Sequence, residues 1–262
     1  MLKLILLILL SSSIQSEPFL VGEKFDYSIT WGIITVGHAT MSIPDKVNFN
    51  GCDCLILETT ATGTTFINKI FPVKDSIISY WELKTKRTFR SEKNLNEGNY
   101  HRHTATTFDY AARKAYWKEI QFSGNTETGK LKPNTKWKNK EGIIEKLPEE
   151  FQDILSAIYY NRSHPKKAEV GTSFVIDLFD DVKITKLKMV IHKKEKLNIK
   201  LNEKEVEFDS IITQPFYETT GIFKASGDIK IWISDDERRI PLKIVAKVPY
   251  VGNVVTILEG MN

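Results

Sequence analysis

Two pairs of side chains have the spacing that would let them act together on one face of a strand. His101 and His103 are two residues apart, and so are Cys52 and Cys54. Alternate residues of a strand point to the same side, so the histidines could bind a metal and the cysteines could form a strained disulfide. Arg102, between the histidines, would point to the other face. No third ligand accompanies the histidines, so we predict no metal site, a polar surface there, and two inert thiols.

Adjacent carboxylates are a second candidate for chemistry, because hydrolases use paired acids for proton transfer. Asp180-Asp181 and Asp235-Asp236 each fall at a predicted turn, where the two side chains of a pair are expected to point apart. We interpret both pairs as turn residues that cap their own backbone. The chain contains no G-x-S-x-G, H-E-x-x-H or glycine-rich phosphate motif. The sequence thus predicts no catalytic residue and no cofactor, and it favours a non-enzymatic protein.

One segment combines polar residues at helical spacing: Asp153, Ser156, Tyr160 and Arg162. If this helix packs on a sheet, each of its buried polar groups needs a partner, because an unsatisfied one costs about 1–3 kcal/mol. Strand residues are the expected partners. We predict a polar network that fixes the helix to the sheet, with a ligand-recognising pocket as the alternative, formed by Asp75, Tyr80, Arg87, Asp153, Ser156, Tyr160 and Arg162.

Apolar residues of the same segment define the predicted helix. They recur at i, i+3, i+4, i+7 and i+8, which makes one apolar stripe: Phe151, Ile154, Leu155, Ile158 and Tyr159. Pro148 lies where a helix begins, and Pro165 prevents it from continuing. A single helix among many strands must bury its stripe against the sheet.

Strands are predicted over most of the remaining chain. Apolar and polar residues alternate from Phe25 to Trp31, and Asn50-Gly51 is a hairpin signal because both turn positions require positive φ. The predicted fold is mainly β: an antiparallel meander rolled into a barrel-like or two-layer sheet, with one amphipathic helix packed on or in it. Residues 124–146, rich in Gly, Asn, Thr and Lys, are predicted to form a solvated loop between two halves.

A lysine-rich hairpin is predicted over residues 182–201, with its turn at 192–195. Lys186 and Lys188 face one side of its first strand, and Lys196 and Lys200 face one side of its second strand. Such lysines protect a sheet edge from pairing with other chains. The alternative is attraction to anionic lipid head groups or envelope polymers, to which each lysine would contribute about 1 kcal/mol.

Composition and the first residues narrow the class of protein. The 262 residues are 41% hydrophobic and 27% charged, and their net charge is only +4, so neither disorder nor a nucleic-acid partner is predicted. Lys3, an apolar run at 4–10 and a small, polar stretch at 11–16 form a signal-peptide pattern, and the apolar run is too short for a membrane span of roughly 20 residues. We predict a signal peptide at 1–16 and one β-rich domain at 17–262. The product would be exported, to the periplasm if the source is Gram-negative and otherwise secreted, and would not be an integral membrane protein.

Short motifs along the chain resemble a known family. They are GEKFDY at 22–27, FPVKD at 71–75, QDILSAIYYNR at 152–162, and the stretch 227–241 with its IWISDD and RIP segments. Together they resemble the exported bacterial proteins catalogued as domain of unknown function 3108. The resemblance covers most of the mature chain and implies one β-rich, periplasmic domain. It implies no activity, so no catalytic residue is carried over.

Binding is the function that the sequence favours. Ligands commonly occupy the mouths of rolled sheets, and residues 215–227 could form a lid through three aromatic side chains, Phe216, Tyr217 and Phe223. We predict a carrier of an apolar or amphiphilic envelope molecule such as a lipid. One alternative is an envelope assembly partner that contacts another protein. The other is a hydrolase, which would require at least two of five side chains to meet in one concave site: Asp75, His101, His103, Asp153 and Arg162.

Overall fold

The computed structural model describes residues 19–124, 137–163, 169–219, 222–225, 228–248 and 252–262, so the predicted signal peptide at 1–16 lies outside the described residues. The described part contains sixteen strands and two short helices. Their bounds are β1 Lys24–Trp31, β2 Ile34–Phe49, β3 Cys52–Gly63, α1 Thr65–Ile70, β4 Lys74–Glu82, β5 Arg87–Glu97, β6 Tyr100–Asp109, β7 Lys114–Ser123, β8 Trp137–Glu145, β9 Gln152–Asp153, α2 Ser156–Arg162, β10 Ser173–Asp180, β11 Lys183–Leu201, β12 Lys204–Thr219, β13 Ile222–Ala225, β14 Asp228–Ser234, β15 Pro241–Val248 and β16 Gly252–Met261.

These strands cover most of the described residues, so the described part of the chain is mainly β, as predicted. All of the strands belong to one sheet. The strand order is β8-β7-β6-β5-β4-β3-β2-β1-β16-β15-β14-β12-β11-β10-β9, and β13 pairs with β12. Neighbours are antiparallel except for β9, which pairs parallel with β10. The order has two ends, β8 and β9, so the sheet is not closed into a barrel.

Local turn chemistry sets the first hairpins. Asn50 and Gly51 join β2 to β3 with φ values of 52° and 86°, which confirms the predicted two-residue turn. Along β1, Phe25 and Tyr27 are buried while the residues between them are more exposed, as period two requires. β1 then pairs with both β2 and β16, so the first and last strands meet in the middle of the sheet.

The largest core cluster draws its buried residues from both halves of the chain. It contains Phe25, Leu57 and Trp81 from the first strands, and Leu242 and Leu258 from the last two. The cluster also includes side chains from β11 and from the α2 segment: Ile199, Leu201, Leu155 and Tyr159. A smaller cluster joins β6 and β7 to β10 through Phe108, Ala115, Leu147, Phe151 and Phe179.

The predicted helix begins later than expected. Phe151 is not helical, and Gln152 and Asp153 form β9; only Ser156–Arg162 is α2. The Asp153 carboxylate accepts hydrogen bonds from the backbone N–H groups of Leu155 and Ser156, at 2.9 and 3.0 Å. This local bonding competes with helical bonding, so the helix cannot extend back to Pro148.

Two further expectations about the strands are wrong. Within the predicted loop 124–146, residues 125–136 lie outside the described residues, but Trp137–Glu145 is β8, an edge strand paired with β7. The predicted hairpin at 182–201 is instead one continuous strand, β11, in which a register shift between Ile191 and Lys193 replaces the turn. No Gly, Pro, Asn or Asp stands at 192–195, so a β-bulge accommodates the extra residue without reversing the chain.

Candidate functional site

A cavity of about 290 Å³ lies between the inner face of β4–β8 and the strands at the opposite end of the sheet, β9 and β10. We call it the cleft. Its lining mixes charged and apolar side chains, among them Ile77, Lys93, Arg102, Trp117, Glu119, Phe179 and Asp181. The two ends of the sheet therefore approach each other through side chains, with the cleft between them.

Period two on adjacent strands builds the inner wall. On β6, Arg102 and Thr104 lie on the cleft face, and on β7 so do Glu119 and Gln121. The register places Arg102 opposite Gln121 and Thr104 opposite Glu119. His103, between two of the cleft-facing positions, and His101, just before the first of them, do not line the cleft, as the alternation along the strand predicts.

Charged groups from the two ends of the sheet meet across the cleft. Lys93 Nζ lies 3.1 Å from Asp180 Oδ1 and 3.3 Å from Asp181 Oδ1, so the two adjacent carboxylates converge on one ammonium instead of pointing apart as expected. Arg102 Nη2 lies 2.9 Å from Asp181 Oδ1. Glu119 is close to Arg102 Nη1, at 3.9 Å, and to Lys140 Nζ, at 3.5 Å.

Arg102 is nevertheless incompletely satisfied. Its side chain is 17% exposed, and its Nε atom is buried without a hydrogen-bond partner among the described residues. A buried donor without a partner costs about 1–3 kcal/mol, so native proteins rarely leave one unless water or a ligand serves it. Arg102, which lines the cleft, thus has one donor that no described residue pairs.

Asp181 is held by strong local constraints. Burial opposes its ionisation, but Lys93 and Arg102 outweigh this effect and hold the pKa of the Asp181 carboxyl below its usual range. Asp181 and Val182 form the β10–β11 turn with φ values of 45° and 56°. A β-branched residue at positive φ is strained, at a cost on the order of 1–3 kcal/mol. Contacts of Val182 with the smaller core cluster and the ion pairs of Asp181 hold this turn over the cleft.

Asp153, the predicted site residue on β9, is a structural anchor at the cleft wall. Ser79 Oγ donates to its Oδ1 at 2.7 Å and Thr88 Oγ1 donates to its Oδ2 at 2.8 Å. The backbone N–H groups of Leu155 and Ser156 also donate to Oδ1, and the Asp153 N–H donates to Ser156 Oγ at 2.9 Å. Asp153 therefore ties β9 and the start of α2 to β4 and β5.

Of the predicted polar set, the structure brings Asp153 and Ser156 together. Arg162 belongs to a separate site in the main core, where its guanidinium pairs with both oxygens of Glu23 at 2.6 and 2.7 Å. Tyr160, also on α2, is partly exposed; burial and then the charge of Glu150 raise the pKa of its phenol.

The three strand residues predicted to partner the polar groups of the helix make other contacts. Asp75 accepts a hydrogen bond from the Asn96 N–H at 2.8 Å, and burial raises the pKa of its carboxyl. Tyr80 packs against Phe49, with ring centroids 5.1 Å apart. Arg87 lies over the Tyr110 ring, 4.7 Å from its centroid. Ser79 and Thr88 bond Asp153 instead, and ordinary strand hydroxyls carry no signal that would have identified them.

Most of the predicted lid is sheet. Phe216 and Tyr217 belong to β12 and pair with Ala225 and Lys224 of β13. Phe223 is also in β13, its side chain is not among the described ones, and residues 220–221 and 226–227 lie outside the described residues. Burial, and then the charge of Asp180, raise the pKa of the Tyr217 phenol.

The histidines and cysteines form no shared site. His101 is buried, with its ring nitrogens 2.9 Å from Asn96 Oδ1 and 3.2 Å from the Gly124 carbonyl, and His103 contacts Asn94. In the described part of the chain, no group of three metal-ligating side chains occurs. Both cysteines are free thiols, and burial raises the pKa of Cys54 to about 12.

Three of the four lysines predicted on the hairpin are paired with carboxylates. Lys186 lies 2.8 Å from Asp177 on β10. Lys196 pairs with Glu207 on β12, and Lys200 pairs with Glu203 in the β11–β12 turn. The charge of these lysines is therefore largely neutralised within the sheet.

The sequence interpretation missed Lys93, Arg102, Trp117 and Glu119 as residues of one site. Their signal was the alternation along β6 and β7, where both faces carry polar residues. Alternation identifies which residues share a face, but it does not show which face another part of the sheet covers.

Comparison with known proteins identifies the family of the chain. Among curated proteins, no sequence matches. The chain is similar to a solved β-barrel-like protein of domain of unknown function DUF1849 from Brucella abortus, with 11% identity, a TM-score of 0.43, and coverage of 92% of this chain and 95% of that one. It is also similar to a protein with a YmcC-like fold from Bacteroides fragilis, with 5% identity, a TM-score of 0.36, and coverage of 94% and 97%. The family described as protein of unknown function DUF3108 matches residues 26–259, which include every strand of the cleft, and the chain belongs to that family.

Proposed function

We propose that the protein binds a small amphiphilic molecule in the cleft and has no enzymatic role there. The observation that carries this proposal is that Arg102 lines the cavity and that its buried Nε has no partner among the described residues. A carboxylate or phosphate oxygen is the natural acceptor for this donor, since charge-assisted hydrogen bonds from arginine are among the strongest in proteins.

The cleft lining accounts for the amphiphilic character of the proposed ligand. Trp117, Phe179 and Val182 offer apolar contact beside the charged cluster of Lys93 and Arg102. The volume of about 290 Å³ is at the lower end of the range of roughly 300–1,000 Å³ for ligand pockets. A ligand would therefore place a small anionic head group at Arg102 and an apolar portion against the aromatic side.

The carboxylates of the cleft support binding over hydrolysis. Asp153 accepts four hydrogen bonds, and Asp181 is paired with Lys93 and Arg102. A general acid needs a carboxyl whose pKa is raised towards neutrality, whereas that of Asp181 is lowered. Among the five side chains that a hydrolase was expected to use, Asp153 alone lines the cleft.

The same proposal includes export of the protein and its folding as a single domain. Lys3 and the apolar run at 4–10 support a signal peptide at 1–16 and delivery to the periplasm of a Gram-negative cell or to the outside. The main core cluster, which combines side chains of β1 to β4 with those of β15 and β16, supports one domain over 17–262. No helix within the described ranges has the length and apolar character needed to span a membrane.

Calorimetric titration with decanoate, which has a carboxylate head and an apolar tail, tests the proposed site. We expect Arg102→Gln to weaken decanoate binding by about tenfold or more, because a hydrogen bond to a charged group contributes about 1.5–3 kcal/mol. Arg90→Gln is the matched control, since Arg90 is a partly buried arginine of the neighbouring strand that pairs with Glu92 and does not line the cleft. Native mass spectrometry of protein purified from its own host should show a bound small molecule that Arg102→Gln removes. Equal decanoate affinity in the two variants, or a wild-type protein that binds neither decanoate nor a host molecule, would contradict the proposal.

A further inference from the structure

The β1–β2 turn and the helix α1 present large apolar side chains that the core does not use. At the β1–β2 turn, Trp31 and Ile34 are about half exposed, and Ile33 at the apex is fully exposed, at 101%. The short helix α1 has no buried residue, and its Phe66 and Ile70 are 68% and 72% exposed. Isolated exposed hydrophobic residues are common, but several together on one surface indicate an interaction site.

These two protrusions are neighbours in the fold. Gly37 of β2 pairs with Gly63 of β3, and the Thr64 N–H donates to the Val36 carbonyl at 3.0 Å. Ile34 is two residues before Val36, so it lies only about 7 Å further along the strand, and α1 begins directly after Thr64. We call this surface the apolar end, and define it by Trp31, Ile33, Ile34, Phe66, Ile70 and Phe71.

The local structure holds α1 in place, so its exposure is not that of a frayed segment. Thr64 caps the helix through its side chain, which accepts from the Ile67 N–H. Asn68 donates to the Gly63 carbonyl at 2.9 Å and accepts from the Val73 N–H at 3.0 Å. These bonds fix both ends of the helix to the sheet and present its apolar side chains to solvent.

A close contact also orients the residue that follows α1. Phe71 lies against Gly98, where a Cβ atom would come within 2.5 Å of the Phe71 ring. Gly98 has a φ of 57°, a conformation that suits glycine. Phe71 is therefore packed on one side and still half exposed on the other.

The charges at the apolar end favour an anionic bilayer as the occupant. Residues 31–36 and 62–74 contain Lys69 and Lys74, both exposed, and no Asp or Glu. Two acidic residues lie beside them: Asp75, which follows Lys74, and Glu97, which forms an isolated β-bridge with Val73. Aromatic and aliphatic side chains next to lysines are the composition of surfaces that insert at the boundary of head groups and acyl chains. A projecting side chain such as Ile33 enters lipid without a preformed pocket, which a protein partner would have to provide.

We propose that the apolar end docks the protein on the surface of an anionic lipid bilayer. Ile33, Phe66 and Ile70 enter the acyl boundary, and Lys69 and Lys74 contact lipid phosphates. This docking does not depend on the cleft, which is lined by a different set of residues.

Sedimentation of the purified protein with lipid vesicles tests the docking. Wild-type protein should bind vesicles that contain one-third phosphatidylglycerol in phosphatidylcholine. Ile33→Glu and Phe66→Glu should each lower the partition coefficient about tenfold or more, because each removes a large apolar side chain from lipid. Val175→Glu is the matched control: Val175 is also half exposed, but it is on β10, outside the apolar end. Its partition coefficient should stay at the wild-type value.

Charge variants separate the electrostatic part of binding. The double variant Lys69→Gln/Lys74→Gln should lose about fivefold per lysine on the phosphatidylglycerol vesicles, and little on pure phosphatidylcholine. Thermal unfolding of every variant controls for folding. Wild-type protein that does not sediment with vesicles, or glutamate variants at the apolar end that bind as Val175→Glu does, would overturn the proposal. A dimer that Ile33→Glu dissociates, in the absence of vesicle binding, would assign the surface to a second copy of the chain and also overturn it.

Discussion

Two largely buried arginines of this protein differ in how completely their guanidinium groups are paired. Arg162, on α2, donates to both oxygens of Glu23 and, through Nε, to the Arg238 carbonyl at 2.9 Å. Arg102, on β6, lies 2.9 Å from Asp181 through Nη2, but its Nε has no partner among the described residues. Both guanidinium groups are removed from most of the solvent. Of the two, Arg162 has a described acceptor for each of its three guanidinium nitrogens, and Arg102 does not.

The surroundings of the two residues explain the difference. The rings of Phe19, Phe25 and Tyr159 surround Arg162, each 5.1–5.3 Å from its guanidinium carbon, and the side chain is fully buried. Arg102 faces a cavity of about 290 Å³. A paired and enclosed arginine contributes to stability, whereas an incompletely paired arginine beside a cavity is available for a ligand.

The largest effect that this comparison predicts is on stability at Arg162. Arg162→Met should lower the free energy of unfolding by about 3–5 kcal/mol, because it leaves the Glu23 carboxylate buried without its partner. Urea denaturation measures the change. The double variant Glu23→Gln/Arg162→Met should recover part of the loss, and a loss below about 1 kcal/mol for Arg162→Met would contradict a structural role.

A smaller loss is expected at the anchor of β9. Thr88→Val keeps the shape of the side chain but removes the donor to Asp153 Oδ2, so unfolding should become easier by about 1–3 kcal/mol. Thr62→Val, at an exposed position of β3, is the control and should change stability by no more than about 0.5 kcal/mol. Equal unfolding midpoints for the two variants would show that Asp153 does not depend on Thr88.

Arg102→Met should have a still smaller effect on stability. Lys93 continues to pair with Asp181 in this variant, and the buried Nε that lacks a partner is removed, so the loss should be at most about 1 kcal/mol. Decanoate binding should nevertheless be lost. Destabilisation as large as that of Arg162→Met would remove the distinction between the two arginines.

The smallest predicted effect is the pH dependence contributed by Asp181. Its pKa is lower in the folded protein than in the unfolded chain, so its ion pairs contribute stability above the unfolded value near 3.8 and lose it as the pH falls through the folded value. The wild-type protein should therefore exceed Asp181→Asn in stability by at most about 1 kcal/mol at pH 6, since this side chain is half exposed. The difference should shrink below pH 4 in urea denaturation experiments. A difference that grows on acidification would give the pKa shift the opposite sign.

The sequence predicted the features that local chemistry determines. The Asn50-Gly51 turn requires two positive φ angles, which these residues adopt at little cost. The two residue types were therefore enough to predict the turn. The alternation along β6 correctly separated Arg102 from His101 and His103. Mainly β structure followed from the same period-two patterns.

Long-range contacts limited the remaining predictions. Nothing near Asp153 in sequence shows that Ser79 and Thr88, more than sixty residues away, donate to its carboxylate. The convergence of Asp180 and Asp181 on Lys93 likewise requires the two ends of the sheet to approach, and this depends on curvature summed over many strands. In sequence, a polar strand face that another part of the sheet covers has the same pattern as a polar face in solvent. The sequence therefore could not distinguish the cleft residues from surface residues.

The Nε–Hε resonances of arginine provide the most direct test of the cleft as a binding site. In a ¹H–¹⁵N correlation spectrum, the resonance of Arg102 can be assigned by its loss in Arg102→Gln, and that of Arg162 by its loss in Arg162→Lys. Titration with decanoate should shift the Arg102 Nε–H resonance downfield to saturation, as it gains an acceptor, and leave that of Arg162 unchanged. An Arg102 resonance that does not move at saturating decanoate, or one that moves together with that of Arg162, would contradict the proposed function.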